Sequence, residues 1–158
     1  KYFYFYHNSK SFMKLTIGRI DKADFKEFLL FDIDVKIDSG AYTSSIHCSD
    51  IKEVSIKDEN FIKFTLLDSQ HPFYNNKEYI TKNYAIKLVK SSNGIAQKRY
   101  LIETEIFIFN TSHPIHLTLS KRKNMKFPVL LGRKFLNKQF LIDTSRTNVS
   151  HKQKQKNQ

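Results

Sequence analysis

The chain has 158 residues, a length that suits one domain with one hydrophobic core. Hydrophobic residues make up 40% and charged residues 27%, which excludes a wholly disordered chain. The formal net charge of +12 favours anionic partners such as nucleic acid, a ribosome-bound target or a glutamate-rich peptide, although a lysine-rich composition explains it equally well. The single cysteine, Cys48, excludes an internal disulfide and fits a cytoplasmic protein. No apolar run reaches the roughly 18 residues of a transmembrane helix, so we expect no membrane partner.

The two ends of the chain differ from its middle. Residues 1–13 alternate aromatic residues without aliphatic ones. One hypothesis is that Met13 is the natural start, and the alternative is an edge strand or a partner-binding arm. Residues 150–158 are rich in Lys, Gln and Asn, and we expect them to form a disordered tail. These boundaries predict one folded domain over residues 14–149.

Short stretches of alternating apolar residues, bounded by turn-forming residues, predict β-strands along the whole domain. The predicted strands are 14–20, 33–38, 51–57, 60–67, 84–90, 98–109, 115–119, 129–131 and 139–143. We expect a loop or a single turn over residues 21–30, a hairpin turn over 58–60, and one helical turn over 132–137. Residues 98–109 are apolar on both faces, which predicts a central or interface strand. Many short strands of this kind predict an all-β barrel with at most short helices.

One strand leads directly into a chemically distinctive turn. Residues 33–37 alternate apolar and polar side chains, and Asp38 follows them at the start of a tight turn. Gly40 gives that turn conformational freedom, and hydroxyl groups nearby can bond its backbone or the carboxylate. These hydroxyls belong to Ser39, Thr43 and Ser44. Taken alone, the pattern is more typical of an ordinary Asp-Ser-Gly turn without a catalytic role, because turns use these residues constantly.

A second pattern appears near the far end of the domain, where two leucines precede Gly132 and Arg133. Together, Asp38-Ser39-Gly40-Ala41 and Leu130-Leu131-Gly132-Arg133 resemble the retropepsin-like aspartic peptidases. The similarity is closer to a bacterial and archaeal branch labelled ATP-dependent zinc proteases, some associated with an ATP-grasp ligase that adds glutamates to a ribosomal protein. The stretches that carry it are Ile17-Gly18-Arg19, Lys36 to His47, Val89 to Gly94, Leu130 to Arg133 and Phe140 to Asp143. Ser39 stands where the branch more often has threonine.

This resemblance implies a small closed acid-protease barrel and assigns roles to particular residues. The catalytic carboxylate would be Asp38, within the turn Asp38, Ser39, Gly40 and Ala41. Residues expected to support that turn are Thr43, Ser44, Gly132 and Arg133. The flap that covers the substrate would be the turn Ser91, Ser92, Asn93 and Gly94, for which an ordinary surface hairpin is an equally good interpretation.

Aspartic peptidases need two carboxylates in one site, and this chain has a single Asp-Ser-Gly triplet. The peptidase hypothesis therefore requires a homodimer in which two-fold symmetry brings the two Asp38 residues together. The substrate would be a peptide or protein, with a glutamate-modified ribosomal protein as one candidate from the resemblance. We expect Gly132 to pack closely beside the turn, and Arg133 to form a structural ion pair or lie at an interface. Asp143 is expected to bond a turn or Arg133.

The sequence gives no support for a metal or nucleotide cofactor. The histidines are scattered, and none forms a His-x-x-x-His pair or joins Cys48 in a zinc pattern. No Gly-x-x-x-x-Gly-Lys-Ser/Thr loop is present for ATP phosphates. We therefore expect no cofactor, and we interpret Cys48 as a small buried apolar residue.

Two other functions remain open from the sequence. The same fold could serve as a binding or regulatory protein without proteolysis. Alternatively, a basic protein could associate with nucleic acid or the ribosome through a patch of Lys121, Arg122, Lys123 and Lys126. A solvated lysine face explains that patch more simply, so nucleic acid is the weaker expectation.

Overall fold

The computed structural model describes residues 13–90, 96–121, 126–137 and 139–157. Within these ranges the chain consists mainly of β-strands joined by short turns, which confirms the prediction of an all-β fold with short helices. The strands are β1 (Leu15–Ile17), β2 (Ile20–Phe25), β3 (Leu30–Ile37), β4 (Ser44–Ile56), β5 (Glu59–Leu66), β6 (Glu78–Thr81), β7 (Tyr84–Lys90), β8 (Ala96–Ile108), β9 (Thr111–Ser120), β10 (Val129–Leu131) and β11 (Phe140–Ile142). The helical elements are a 3-10 turn (Lys26–Phe28), α1 (Arg133–Leu136) and α2 (Val149–Lys156).

The main sheet closes on itself as a ring. Hydrogen-bonded neighbours follow the order β10, β3, β2, β8, β9 and β4, and β10 also pairs with β4. The β3–β10 and β4–β9 pairs are parallel, and the other ring pairs are antiparallel. Strands β5, β6 and β7 extend from β4 and β8 outside the ring. The expected closed barrel is therefore a ring-like sheet with lateral extensions rather than a strict barrel.

Each ring strand contributes a fully buried apolar side chain to one hydrophobic cluster. These side chains are Leu131, Val35, Phe25, Ile106, Leu117 and Ile46, in ring order. Burying an aliphatic or aromatic side chain of this size contributes about 1.5–3 kcal/mol, so the core strongly favours ring closure. The long strand β8 pairs with β2, β7 and β9, which agrees with the central position predicted from its two apolar faces.

The structure differs from the predicted elements in several places. Residues Ile20–Phe25 form a strand where a loop or turn was expected, and Glu78–Thr81 form a strand that was not predicted. The β4–β5 hairpin turns at Lys57 and Asp58, whose φ angles of 50° and 64° are left-handed, rather than over 58–60. Strand β2 was missed because Asp21 and Asp24 give it a loop-like composition, yet both side chains are buried and hydrogen-bonded.

The expectation of a disordered tail from residue 150 was wrong. Residues Val149–Lys156 form α2, whose first turn is capped by a carboxylate from β2. The Asp21 side chain accepts hydrogen bonds from the backbone N–H groups of Ser150 (2.9 Å) and His151 (3.1 Å). The Lys154 ammonium donates to both oxygens of Asp24. An anion at the helix N-terminus and an ion pair along its length stabilise a segment whose composition alone predicts disorder.

A two-stranded parallel sheet of β1 and β11 lies beside the ring. A Cβ on Gly18, which follows β1, would lie 2.3 Å from the carbonyl oxygen of Arg146, so glycine is required there. The next residue, Arg19, accepts a hydrogen bond from the N–H of Ile37 at 3.1 Å. The stretch Ile17-Gly18-Arg19 therefore joins the small sheet to the end of β3.

In the part of the chain that the structure describes, no helix has both the length and the apolar character needed to cross a membrane. Residues 1–12 of the aromatic N-terminal stretch lie outside the described ranges.

Candidate active site

The Asp38 and Gly132 patterns of the sequence meet because β3 and β10 pair in parallel. Ile37 is the register partner of Leu131, and the N–H of Asp38 donates to the Leu131 carbonyl at 2.9 Å. The two chain segments then leave the sheet together, one as the turn that begins at Asp38 and the other as Gly132 and α1. We call residues 38–43 the Asp38 loop.

The Asp38 carboxylate is half-buried and fixed by its own turn. Its Oδ1 accepts hydrogen bonds from the N–H groups of Gly40 (3.0 Å) and Ala41 (3.1 Å). Within the described residues, Oδ2 receives no hydrogen bond. Ser39 and Gly40 are exposed. One carboxylate oxygen is therefore held in place while the other is free to bond a water molecule or a second carboxylate.

Helix α1 binds the outer side of the Asp38 loop. The guanidinium of Arg133 donates to the carbonyl oxygens of Ser39 (2.7 Å) and Gly40 (2.9 Å). The backbone N–H groups of Arg133 and Lys134 donate to the carbonyls of Ala41 (2.9 Å) and Tyr42 (2.8 Å). Four loop carbonyls thus receive donors from two consecutive helix residues. The expectation for Arg133 was a structural ion pair or an interface position. No carboxylate among the described residues pairs with it, and its guanidinium bonds loop carbonyls instead.

Gly132 and Ser44 connect the loop to the core. A Cβ on Gly132 would lie 2.8 Å from the carbonyl carbon of Thr43 and from the oxygen of Tyr42, so only glycine fits against this backbone. The N–H of Gly132 donates to the buried Ser44 hydroxyl at 3.0 Å. The Ser44 carbonyl accepts a hydrogen bond from Thr118 on β9. Thr43 takes part through its backbone, which lies against Gly132.

Other residues singled out by the sequence lie apart from these contacts. Asp143 accepts hydrogen bonds from the N–H (3.0 Å) and hydroxyl (2.6 Å) of Ser145, and these bonds lower its pKa. Asp143 therefore bonds its own turn, which was one of its two expected roles, and does not bond Arg133. The flap candidate, Ser91 to Gly94, lies outside the described residues. The strands β7 and β8 that lead to it are paired from Tyr84–Ile102 to Lys90–Ala96.

His47 makes contacts that the sequence did not reveal. Its Nδ1 lies 3.2 Å from the carbonyl oxygen of Ser120, and its Nε2 lies 3.1 Å from Oδ2 of Asp68. The pKa of Asp68 is lowered, first by a hydrogen bond from the Gln70 N–H and then by His47. No spacing rule links residues 47, 68 and 120, so these partners could be found only in the folded chain.

The described residues contain no group of three His, Cys, Asp or Glu side chains arranged to hold a metal ion. Cys48 is buried, and burial raises the pKa of its thiol to about 11. A thiol with so high a pKa is a poor nucleophile and a poor metal ligand at neutral pH.

The basic patch proposed for nucleic acid is only partly described. Arg122 and Lys123 lie outside the described residues. Lys121 lies 3.6 Å from an oxygen of Asp50, and the Lys126 ammonium lies over the ring of Phe127. Of the two lysines that the structure describes, neither makes a contact specific to phosphate groups.

Comparison with known proteins identifies a family and several relatives. Residues 16–153 match the RimB-like family, described as retropepsin-like aspartic endopeptidase RimB. Relatives from Shewanella pealeana (33% identity over 136 residues) and Desulfotalea psychrophila (30% over 139 residues) are each named probable alpha-L-glutamate ligase. The matches cover 84% and 85% of this chain and 29% of each relative, so the chain spans less than a third of their length.

A solved structure shares the fold. It is a Legionella pneumophila protein of unknown function, with a TM-score of 0.62 and 22% identity over 87% of this chain and 99% of that one. The family match covers the Asp38 loop, Gly132 and α1 together. The resemblance seen in the sequence is thereby confirmed, and the chain belongs to the RimB-like family of retropepsin-like aspartic endopeptidases.

Proposed function

We propose that this chain is an aspartic peptidase whose active site forms when two copies bring their Asp38 carboxylates together. The observation that carries the proposal is the geometry of the Asp38 loop, which fixes one carboxylate oxygen and leaves the other without a hydrogen bond from the described residues. Arg133 also donates hydrogen bonds to two carbonyls of the loop. A carboxylate that only stabilised its own turn would not require these further hydrogen bonds. This rigidity is what a positioned general acid or base requires.

Hydrolysis needs both protonation states of a carboxyl pair at once. Two carboxylates in close contact do not both ionise readily, so one keeps a proton while the other acts as a base; aspartic proteases are the standard example. The ionised Asp38 takes a proton from water as the water oxygen bonds to the peptide carbonyl carbon. The protonated Asp38 of the second copy gives its proton to the carbonyl oxygen. The first Asp38, now protonated, gives its proton to the amide nitrogen, and the second Asp38, now ionised, takes a proton from a hydroxyl of the resulting diol. The C–N bond breaks, the amine and the carboxylic acid leave, and the pair again holds one proton.

Features beside the loop support pairing of two copies. Tyr42 within the loop is 59% exposed. The sheet of β1 and β11 exposes Leu15, Leu141 and Ile142, and Arg19 attaches this sheet to Ile37, one residue before Asp38. Exposed apolar side chains clustered next to a candidate site are typical of an interface. Two copies that meet over this surface would place their Asp38 loops near the two-fold axis.

The substrate class is proposed from the relatives and from charge. Two relatives that contain a region similar to this chain are named as probable ligases of alpha-L-glutamate. A peptidase joined to such a ligase would act on the acidic peptides that the ligase builds. The net charge of +12 favours binding of such polyanionic chains. We therefore propose a glutamate-bearing peptide as substrate.

The test is hydrolysis of a synthetic peptide that ends in several glutamates, followed by mass spectrometry. We expect shortened products with the native chain and none with Asp38→Asn. The asparagine keeps an oxygen that accepts the Gly40 and Ala41 N–H groups, so its melting temperature should stay near the native value. Full activity of Asp38→Asn, with native chain absent from the preparation, would contradict the mechanism.

A further inference from the structure

We propose that the groove between β7, β8, β9 and α1 holds carboxylates of the substrate, with Lys87 and Lys134 as the residues that select an acidic peptide. This inference rests on the proposed peptidase function and adds the side chains that hold substrate away from the reacting bond. The groove has a volume of about 510 Å³. Its lining includes Tyr84, Lys87, Leu101, Glu103, His116 and Lys134, and we call it the Lys87 groove.

The Lys87 groove lies beside the Asp38 loop. Its α1 wall is formed by Lys134, whose backbone N–H donates to the carbonyl of Tyr42 at 2.8 Å. The preceding residue, Arg133, holds the carbonyls of Ser39 and Gly40. The groove and the Asp38 loop therefore share α1 as a neighbour, and we expect a peptide bound in the groove to extend toward that loop.

The charge of the groove is unbalanced in favour of cations. Its lining includes two ammonium groups, Lys87 and Lys134, against one carboxylate, Glu103, which lies 2.7 Å from Nε2 of His116. Neither Lys87 nor Lys134 has an ion-pair partner within the described ranges, although Lys87 is half-buried. A partly buried ammonium without a counter-charge favours binding of an external carboxylate, because the ion pair restores the interactions lost with water.

The walls also fit the rest of a glutamate chain. Leu101 is 7% exposed and gives the floor an apolar surface for side-chain methylenes. Strand β7 has β8 as its partner and no second neighbouring strand in the described part of the chain. Such an open edge can accept the backbone of an extended peptide. Apolar floor, open edge and two lysines together match an extended peptide with carboxylate side chains.

The test uses binding, so that it does not depend on catalysis. In the full chain carrying Asp38→Asn, affinity for a fluorescein-labelled glutamate pentapeptide is measured by anisotropy. Adding Lys87→Glu and Lys134→Glu should weaken binding about tenfold, because like charges then face the peptide. The matched control adds Lys57→Glu and Lys152→Glu, two exposed lysines on the β4–β5 turn and on α2. The control makes the same change in net charge and should retain most of the affinity.

The outcomes separate this inference from the proposed function. Unchanged binding by the groove variant, or equal weakening by the control, would overturn the Lys87 groove as the site. A milder pair, Lys87→Gln with Lys134→Gln, should give an intermediate loss and guards against misfolding of the charge-reversed protein. If the pentapeptide binds as expected but the native chain never cleaves it, the peptidase proposal fails and the groove stands. The last outcome concerns a chain that keeps Asp38 and carries Lys87→Glu and Lys134→Glu. If this chain cleaves the pentapeptide with the KM of the native chain, the groove fails and the peptidase proposal stands.

Discussion

At the scale of single residues, the Asp38 loop is held by groups that take no part in the proposed chemistry. Arg133 bonds two loop carbonyls, and Gly132 lets α1 approach the loop backbone within contact distance. A misplacement of the reacting group by about 1 Å can cost about 100-fold in rate. The loop therefore depends on Arg133 as a positioning residue rather than as a catalytic one.

Arg133→Met keeps an unbranched side chain similar to the aliphatic part of arginine and removes both hydrogen bonds to the loop. We expect kcat to fall about 10- to 100-fold with little change in KM, because the carboxylate loses its position while the substrate surface stays intact. The free energy of unfolding should fall by only about 1 kcal/mol, since these bonds are exposed. Steady-state kinetics and urea denaturation measure the two effects. Arg133→Lys should recover part of kcat, and a native kcat for Arg133→Met would refute the positioning role.

Asp38, Gly132 and Arg133 could be found from the sequence because each lies within a short local pattern. The hydrogen-bond partners of Arg133 could not be predicted, because they are backbone carbonyls and these have no sequence signature. The contacts of His47 with Asp68 and Ser120 could not be predicted either, because they join segments that are far apart in the chain.

At the scale of elements, α2 shows how distant charges stabilise a segment that looks disordered. Asp24 is 5% exposed and accepts two hydrogen bonds from Lys154, which also donates to Asp32. The Lys154 hydrogen bond is the main cause of a lowered pKa for Asp32. Because the pKa is lower in the folded chain, this pair stabilises the fold above the ordinary value of 3.8 and loses that effect as pH falls through the folded value.

Lys154→Met should therefore reduce the free energy of unfolding by about 2 kcal/mol at neutral pH, because it leaves the buried Asp24 without its cation. The Asp32 part of this difference should shrink as pH falls from 3.8, where Asp32 of the unfolded chain takes up a proton, to the lower pKa of Asp32 in the folded chain. Urea denaturation at a series of pH values measures this. Lys156→Met, an exposed position on the same helix, is the control and should have little effect at any pH. A loss that stays constant down to low pH would contradict the assignment.

Most strands were predictable because their apolar residues alternate and face one core. Strand β2 was not, since Asp21 and Asp24 gave it the composition of a loop while their carboxylates serve α2. Helix α2 could not be predicted because the carboxylate that caps it belongs to Asp21, in a strand near the other end of the chain.

At the scale of the whole molecule, the ring of strands places one Asp38 loop at the surface, and the proposed chemistry requires two. The all-β class and a closed barrel could be predicted from the sequence, but the strands that close the ring could not, because β10 pairs with both β3 and β4 through a stretch of only three residues. The dimer remains a proposal. It is supported by the single Asp-Ser-Gly triplet and the exposed apolar residues next to Asp38.

A subunit-mixing assay tests the shared pair most directly. Native chain is incubated with a ninefold excess of Asp38→Asn chain until subunits exchange, and cleavage of the glutamate peptide is measured per native chain. If each site needs Asp38 from both copies, a native chain finds a native partner about one time in ten, and activity per native chain falls to about a tenth. An equal excess of an inert protein should leave it unchanged. Activity per native chain that is unaffected by the Asp38→Asn excess, after exchange has been verified, would contradict the shared active site.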